Sequence, residues 1–150
     1  MHTTSEHTVK VLNSLIETTL DSASGYREAA DAAGSAQFRD MFSTRAQRRM
    51  ELARQLQQEV RTFGGTPEDD QSFLGKAHNK FAELKGAVTG QDDKSVVDEV
   101  ERGEDVIKAK YEKALRDDDL PTDVRDLLNQ AYGSIRSDHD EISRIKHQMH

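Results

Sequence analysis

Apolar residues recur every three or four positions along four long stretches of this chain, and that spacing constrains the fold more than any other feature. Two of the stretches cover residues 6–33 and 35–63, and two more begin near Asp93 and after Pro121. An α-helix has about 3.6 residues per turn, so each stretch places its apolar residues on one face. Glycines at Gly34 and in GGTP, 64–67, end the first two stretches. The spacing predicts an all-α protein of four long helices.

The connections predict how these helices are joined. Ser35 is suited to cap the second helix, and RDDDLPTD at 116–123 separates the third from the fourth. Short turns of this kind make antiparallel hairpins. The longer connection, residues 68–90, also has apolar residues at helical spacing: Leu74, Ala77, Phe81, Leu84 and Val88. We therefore predict one domain, residues 1–150, folded as a four-helix bundle with a short helix in the crossover between helices 2 and 3.

The two hairpins have similar sequences. FRDMF at 38–42 and VRDLL at 124–128 open the second helix of each pair, and Tyr26 and Tyr111 precede the two turns. We expect both tyrosines in the core, with their hydroxyl groups reaching polar partners. Two related hairpins joined by one crossover form the ferritin-like arrangement of a four-helix bundle.

Composition excludes several classes of function. A net charge of −7 argues against nucleic-acid binding, which needs a concentrated basic face. No apolar run is long enough to span a bilayer, and MHTTSEHTVK at the N-terminus has no apolar signal core, so we expect a cytoplasmic protein. The chain has no cysteine, phosphate-binding glycine loop or nucleophile elbow. These absences favour a protein that is not an enzyme.

Three segments resemble the ferritin-like superfamily and, within it, a bacterial family of four-helix-bundle domains of unknown function. They are LNSLIETTLDSASGYREAA at 12–30, EVERGEDVIKAKYEKAL at 99–115 and LPTDVRDLLNQAYGSIRSDHDEI at 120–142. The resemblance covers nearly the whole chain and implies the ferritin-like bundle. It implies no particular activity, because the family has no established biochemical role.

Members of the wider superfamily that bind two metals carry one Glu on each of two helices and Glu-x-x-His on each of the other two. This chain departs from that pattern on its second helix, where Arg49 and Leu52 stand at the positions that resemble the acid and the histidine. On the fourth helix, Arg136 stands in place of the acid while His139 is retained. The resemblance therefore implies no conventional di-metal oxidase site.

The other two helices keep acids at matching distances along the chain. Glu17 precedes Arg49 by 32 residues, and Glu104 precedes Arg136 by the same number. We interpret Arg49 and Arg136 as buried ion-pair candidates that replace metal-bridging acids, because a guanidinium neutralises a carboxylate as a metal ion would. Arg49 would then be the counter-ion of Glu17 or Glu104. The alternative places Arg45 and Arg49 at the edge of the apolar stripe of the second helix, with their charged groups in water.

A metal site remains a second hypothesis for the same helices. Its ligands would be Glu17, Glu104 and His139, with Glu101 as a further candidate because it lies three residues before Glu104. Such a site would hold iron or manganese. His139 could instead be a histidine that only hydrogen-bonds a neighbouring carboxylate.

Two functions follow from these alternatives. The first is a non-catalytic bundle without a cofactor that acts through its surface in bacterial stress physiology, as a homodimer or with an unknown protein partner. The second is a degenerate ferritin-like protein that handles iron or manganese and reacts with peroxide. Metal content would distinguish the two.

Overall fold

The structure is a computed structural model that describes residues 2–69 and 93–149. It contains four helices, α1 (His2–Ala32), α2 (Ala36–Thr62), α3 (Asp93–Leu115) and α4 (Thr122–Met149). No strand occurs in these two ranges, so the prediction of an all-α chain with four long helices is confirmed. The crossover helix predicted for residues 68–90 lies outside the described residues, apart from its first two positions.

The helices pack as two hairpins that contact each other. α1 lies along α2, α3 lies along α4, and α1 also packs against α3. Ser35 occupies the N-cap position of α2, but its side chain makes no capping hydrogen bond. Instead, the carboxylate of Asp93 accepts hydrogen bonds from the backbone N–H groups of Gly34 at 2.8 Å and Ser35 at 3.2 Å. The first residue of α3 therefore fixes the turn of the first hairpin.

Two glycines end α2 and return the chain to α1. Gly64 has φ of 81°, a left-handed conformation that glycine adopts without strain. A Cβ on Gly65 would lie 2.7 Å from a methyl carbon of Val9, so the backbone approaches α1 too closely for a larger residue. Beyond them, Asn13 donates to the carbonyl of Thr66 at 3.1 Å and accepts from the N–H of Glu68 at 2.8 Å.

The buried apolar residues form two separate clusters, one in each half of the bundle. The larger cluster lies towards the N-terminal end of α1 and includes Leu12, Leu15, Ile16, Leu20, Ala53, Leu56, Val60, Ile107, Tyr111, Leu128 and Ile135. The smaller one lies near the α1–α2 turn and includes Tyr26, Ala29, Ala30, Phe42, Ala46, Val96, Val97, Val100 and Ile142. Every one of the four helices contributes to both clusters.

Buried polar residues occupy the boundary between these two clusters on three of the helices. On α2, Arg49 lies between Ala46 and Ala53 of the two clusters. At the same boundary α3 contributes Glu104 and α4 contributes Asp138, and both side chains are buried. The core is therefore two apolar halves separated by a charged layer.

No helix in the described ranges has a segment long and apolar enough to cross a lipid bilayer.

Candidate functional site

The candidate site is this charged layer, which we define as Arg45, Arg49, Glu104, Asp138 and Glu141. The two arginines are buried because of their positions on α2. The buried residues of that helix include Phe42, Arg45, Arg49, Ala53, Leu56 and Val60, which follow one another at steps of three or four. Both arginines thus occupy positions of the apolar stripe, and their side chains are only 1% and 3% exposed.

Arg49 is the centre of the layer and contacts the three other helices. Its Nη1 donates to Glu104 Oε1 at 2.7 Å and its Nη2 donates to Glu104 Oε2 at 3.0 Å, which is a two-pronged pair. Nη2 also donates to Asp138 Oδ2 at 3.1 Å, and Nη1 donates to Ser22 Oγ at 2.7 Å. One guanidinium therefore joins α1, α3 and α4 to α2.

Arg45 lies one turn earlier on α2 and makes a different set of contacts. Its Nη1 donates to the hydroxyl oxygen of Tyr26 at 3.1 Å, and its Nη2 donates to the carboxylate of Glu141. Its Nε lies 3.7 Å from Asp138 Oδ1 and has no hydrogen-bond partner. Arg48, which is half exposed, donates to the same Asp138 oxygen at 3.3 Å. Asp138 is thus surrounded by three arginines.

The ring of Tyr26 packs against both buried guanidinium groups. The central carbons of Arg45 and Arg49 lie 5.7 Å and 5.3 Å from the centre of the ring, within the range of a cation–π interaction. Burial raises the pKa of the Tyr26 hydroxyl far above its usual value, and the nearby charge of Glu104 raises it further. Tyr26 therefore stays neutral and acts here as a hydrogen-bond acceptor.

The acids keep both arginines charged in spite of their burial. Burial alone would lower the pKa of Arg49, but the adjacent carboxylate of Glu104 outweighs it and the pKa is raised. Burial acts in the same direction on Arg45, whose pKa is raised by Tyr26 and Asp138. Glu104, Asp138 and Glu141 lie opposite these two buried cations.

Tyr111 makes the corresponding polar contact in the larger apolar cluster. Its hydroxyl lies 2.8 Å from Thr19 Oγ1, and Thr19 Oγ1 itself donates to the carbonyl of Leu15 at 2.7 Å. Tyr111 is therefore the donor to Thr19. Burial raises the pKa of Tyr111 to about 12. Tyr26 and Tyr111 both lie in the core with bonded hydroxyl groups, as the sequence predicts.

Of the two arginines interpreted as buried ion-pair candidates, the structure places only Arg49 inside. Arg136 is exposed, which corrects that part of the prediction. Ile135 is part of the buried face of α4, and the next residue on a helix points about 100° away from it. The next residue on the buried face of α4 is Asp138, an acid that was not selected from the sequence.

The structure does not bring together the three residues suggested as metal ligands. Glu17 is exposed, while Glu104 is buried and bound to Arg49. His139 Nε2 lies 2.7 Å from Asp105 Oδ1 and its Nδ1 lies 3.2 Å from Asp140 Oδ1. Within residues 2–69 and 93–149, no group with the geometry of a metal site contains Glu17, Glu104 or His139.

Glu101, the further metal candidate, is engaged on the surface between α3 and α4. Its carboxylate accepts from Lys146 Nζ at 2.7 Å and from Ser143 Oγ at 2.8 Å. The hydrogen bond from Lys146 lowers the pKa of Glu101, and that from Ser143 lowers it further. Glu101 is one turn of α3 from Glu104 but shares no partner with it among the contacts described.

Sequence reasoning missed the roles of Asp138 and Glu141. Asp138 could have been found from the apolar stripe of α4, because it lies three residues after Ile135 and four before Ile142. A carboxylate at a stripe position requires a buried cation, and α2 offers one. Glu141 lies off the stripe and is 48% exposed, so its pairing with Arg45 has no comparable signal.

Comparison with known proteins gives one family match. A family model described as a domain of unknown function, DUF2383, matches residues 7–117. The match includes Tyr26, Arg45, Arg49 and Glu104, and it ends before α4, which carries Asp138 and Glu141. No curated protein matches the chain.

Proposed function

The chain belongs to the DUF2383 family, a domain of unknown function, and on that premise we propose that it is a non-catalytic bundle that acts through its surface. We propose further that the bundle is ferritin-like, with a crossover helix at 68–90, and that the charged layer lies where metal-binding relatives hold their ions. The observation that supports this most is the guanidinium of Arg49, which binds Glu104 and Asp138 at once.

The chemistry of the layer supports a structural role. Arg49 already donates four hydrogen bonds to Ser22, Glu104 and Asp138, and it is almost completely buried. A raised pKa keeps its proton in place, so it is a poor acid or base. Buried ion pairs of this kind can specify which faces of neighbouring helices meet, even where they add little net stability. We assign that role to the layer.

The alternative function, iron or manganese handling, has less geometric support. Its proposed ligands lie apart: Glu17 is exposed, Glu104 holds Arg49, and His139 lies between two other carboxylates. A metal ion at Glu104 would also have to displace or face a buried guanidinium, and like charges in a buried site repel strongly. Arg49 and a metal ion would therefore compete for the carboxylate of Glu104.

The resemblance to a bacterial family of four-helix-bundle domains supports a proposal about where the protein acts and with what partner. On that basis we propose a bacterial, cytoplasmic protein that acts in stress physiology, as a homodimer or with a protein partner. Sedimentation equilibrium tests the dimer, and growth of a deletion strain with and without peroxide tests the stress role.

Metal content tests the proposed function directly. Untagged protein is purified without chelator from cells supplied with iron and manganese, and both elements are counted by mass spectrometry. The proposal predicts far less than one equivalent of either, in the parent protein and in Glu104→Gln alike. About one or two equivalents of iron or manganese in the parent, lost in Glu104→Gln, would establish the metal-handling alternative.

A further inference from the structure

A group of three side chains at the end of the bundle, which shares no residue with the charged layer, has the composition of a metal site. His7 comes from the first turns of α1, and Asp117 and Asp119 come from the turn between α3 and α4. One ligand atom from each residue lies within 4.8 Å of those of the other two. We propose that these three residues bind a divalent transition-metal ion of the Zn²⁺ type.

Asp117 is held in position by several contacts. Its Oδ2 lies 2.6 Å from Nε2 of His7, while its Oδ1 accepts the backbone N–H of Asp119 at 2.9 Å. Arg125 donates to the backbone carbonyl of Asp117 at 2.7 Å, which fixes the turn from the side of α4. These contacts hold the backbone of the turn and the second carboxylate oxygen of Asp117, and they place Oδ2 beside His7.

The distances suit a small ion with short bonds. Zinc binds imidazole nitrogen and carboxylate oxygen at about 2.0–2.2 Å, so two ligand atoms of a tetrahedral ion are about 3.4 Å apart. The His7–Asp117 contact has to widen from its hydrogen-bond length, and Asp119 has to approach. His7 and Asp117 are 39% and 21% exposed and Asp119 is exposed, so their side chains have room to make these movements.

The charges and the donor types select the kind of ion. The side chain of Arg125 pairs with the carboxylate of Asp118 at 3.1 Å and not with those of Asp117 and Asp119. A divalent ion would neutralise these two carboxylates. An imidazole nitrogen favours Zn²⁺, Co²⁺ or Ni²⁺ over Mg²⁺ and Ca²⁺, which prefer oxygen ligands alone. Three protein ligands leave a fourth position for water. The bound ion would join the start of α1 to the α3–α4 turn.

Calorimetric titration of the full chain with ZnCl₂, after treatment with chelator, tests the proposal. The variants are His7→Ala and Asp119→Asn, which alter partly or fully exposed side chains. His139→Ala is the matched control, because it removes another imidazole that lies between two aspartates, Asp105 and Asp140. Circular dichroism checks that each variant is folded.

The proposal predicts one saturable equivalent of zinc in the parent and in His139→Ala. Binding weakens more than about tenfold in Asp119→Asn and in His7→Ala. Co²⁺ should give the visible absorption of a tetrahedral ion with the parent and not with His7→Ala. The absence of saturable binding to the parent would overturn the proposal. An unchanged isotherm for His7→Ala would also overturn it, because histidines other than His7 would then account for the zinc bound.

Discussion

Arg49 donates a hydrogen bond from each of its terminal nitrogens to the carboxylate of Glu104. The two residues are 55 positions apart in sequence and belong to different hairpins. The same guanidinium reaches Asp138 on the remaining helix of the second hairpin. Both partners are buried, so each charge depends on the others for the interactions that water would supply elsewhere.

Removing the charge of Arg49 should destabilise the fold strongly. In Arg49→Met, Glu104 remains buried without the cation that pairs with it and Asp138 loses one of its three arginines, a loss that typically costs about 3–5 kcal/mol. Urea denaturation followed by circular dichroism measures it. The matched control is Arg48→Met, one residue away and half exposed, for which we expect a loss of less than about 1 kcal/mol. Equal losses in the two variants would mean that Arg49 is no more important than a surface arginine.

Keeping the charge of Arg49 while changing its shape should cost less. Arg49→Lys retains a cation for Glu104 and Asp138, but an ammonium group cannot make the two-pronged contact. We expect the unfolding free energy to fall by about 1.5–3 kcal/mol, the value of one hydrogen bond to a charged group. The same urea experiment decides this, and a lysine variant as unstable as Arg49→Met would show that the geometry of the guanidinium matters more than its charge.

If the charge of Arg49 replaces that of a metal ion, an acid at position 49 should make the protein bind a metal ion in order to be stable. Arg49→Glu puts a third carboxylate beside Glu104 and Asp138, and oxygen ligands of this kind suit Mn²⁺. We expect the variant to be less stable than the parent, and Mn²⁺ to raise its melting temperature more than that of the parent. Differential scanning calorimetry with and without MnCl₂ provides the measurement. Equal shifts in the two proteins would contradict the metal-replacement interpretation.

The surface pair of His139 and Asp105 should make stability depend on pH. Partial burial would lower the pKa of His139, but hydrogen bonds to Asp105 and Asp140 outweigh it and raise the pKa. A raised pKa means that the folded protein holds the proton more tightly than the unfolded chain. This stabilisation is fully present below the unfolded pKa of about 6.5 and is lost as pH rises through the folded value.

His139→Gln tests this dependence. The unfolding free energies of parent and variant are compared by urea denaturation between about pH 6 and pH 8.5, a range that spans the titration of histidine. The advantage of the parent over the variant should shrink as the pH rises. An advantage that stays constant or grows across this range would show that the His139 proton does not stabilise the fold.

The helices and the position of Arg49 could be predicted from periodicity, whereas the composition of the layer could not be predicted in full. Burial of one helix face follows from 3.6-residue spacing, which places Arg49 inside with Leu56 and Val60. The choice of Arg136 failed because the two hairpins are similar in sequence without being equivalent in register. A two-residue difference on α4 changes an exposed arginine into a buried aspartate.

The choice of partner for Arg49 depends on how the hairpins meet, which periodicity does not define. Glu17 and Glu104 both precede an arginine by 32 residues, but only Glu104 lies on a buried face. On α1, Ile16 takes the buried position, and Glu17 next to it points to solvent. The packing of α1 along α2 brings Ser22, and not Glu17, to Arg49.

The central claim is that Arg49 and Glu104 stabilise each other inside the core, and a double-mutant cycle tests it most directly. Arg49→Met, Glu104→Leu and the combined variant are unfolded in urea alongside the parent. Because each single change leaves a buried charge without its partner, the combined loss should be smaller than the sum of the single losses by about 2 kcal/mol or more. Losses that add to within about 0.5 kcal/mol would show that the two residues act independently and would contradict the account.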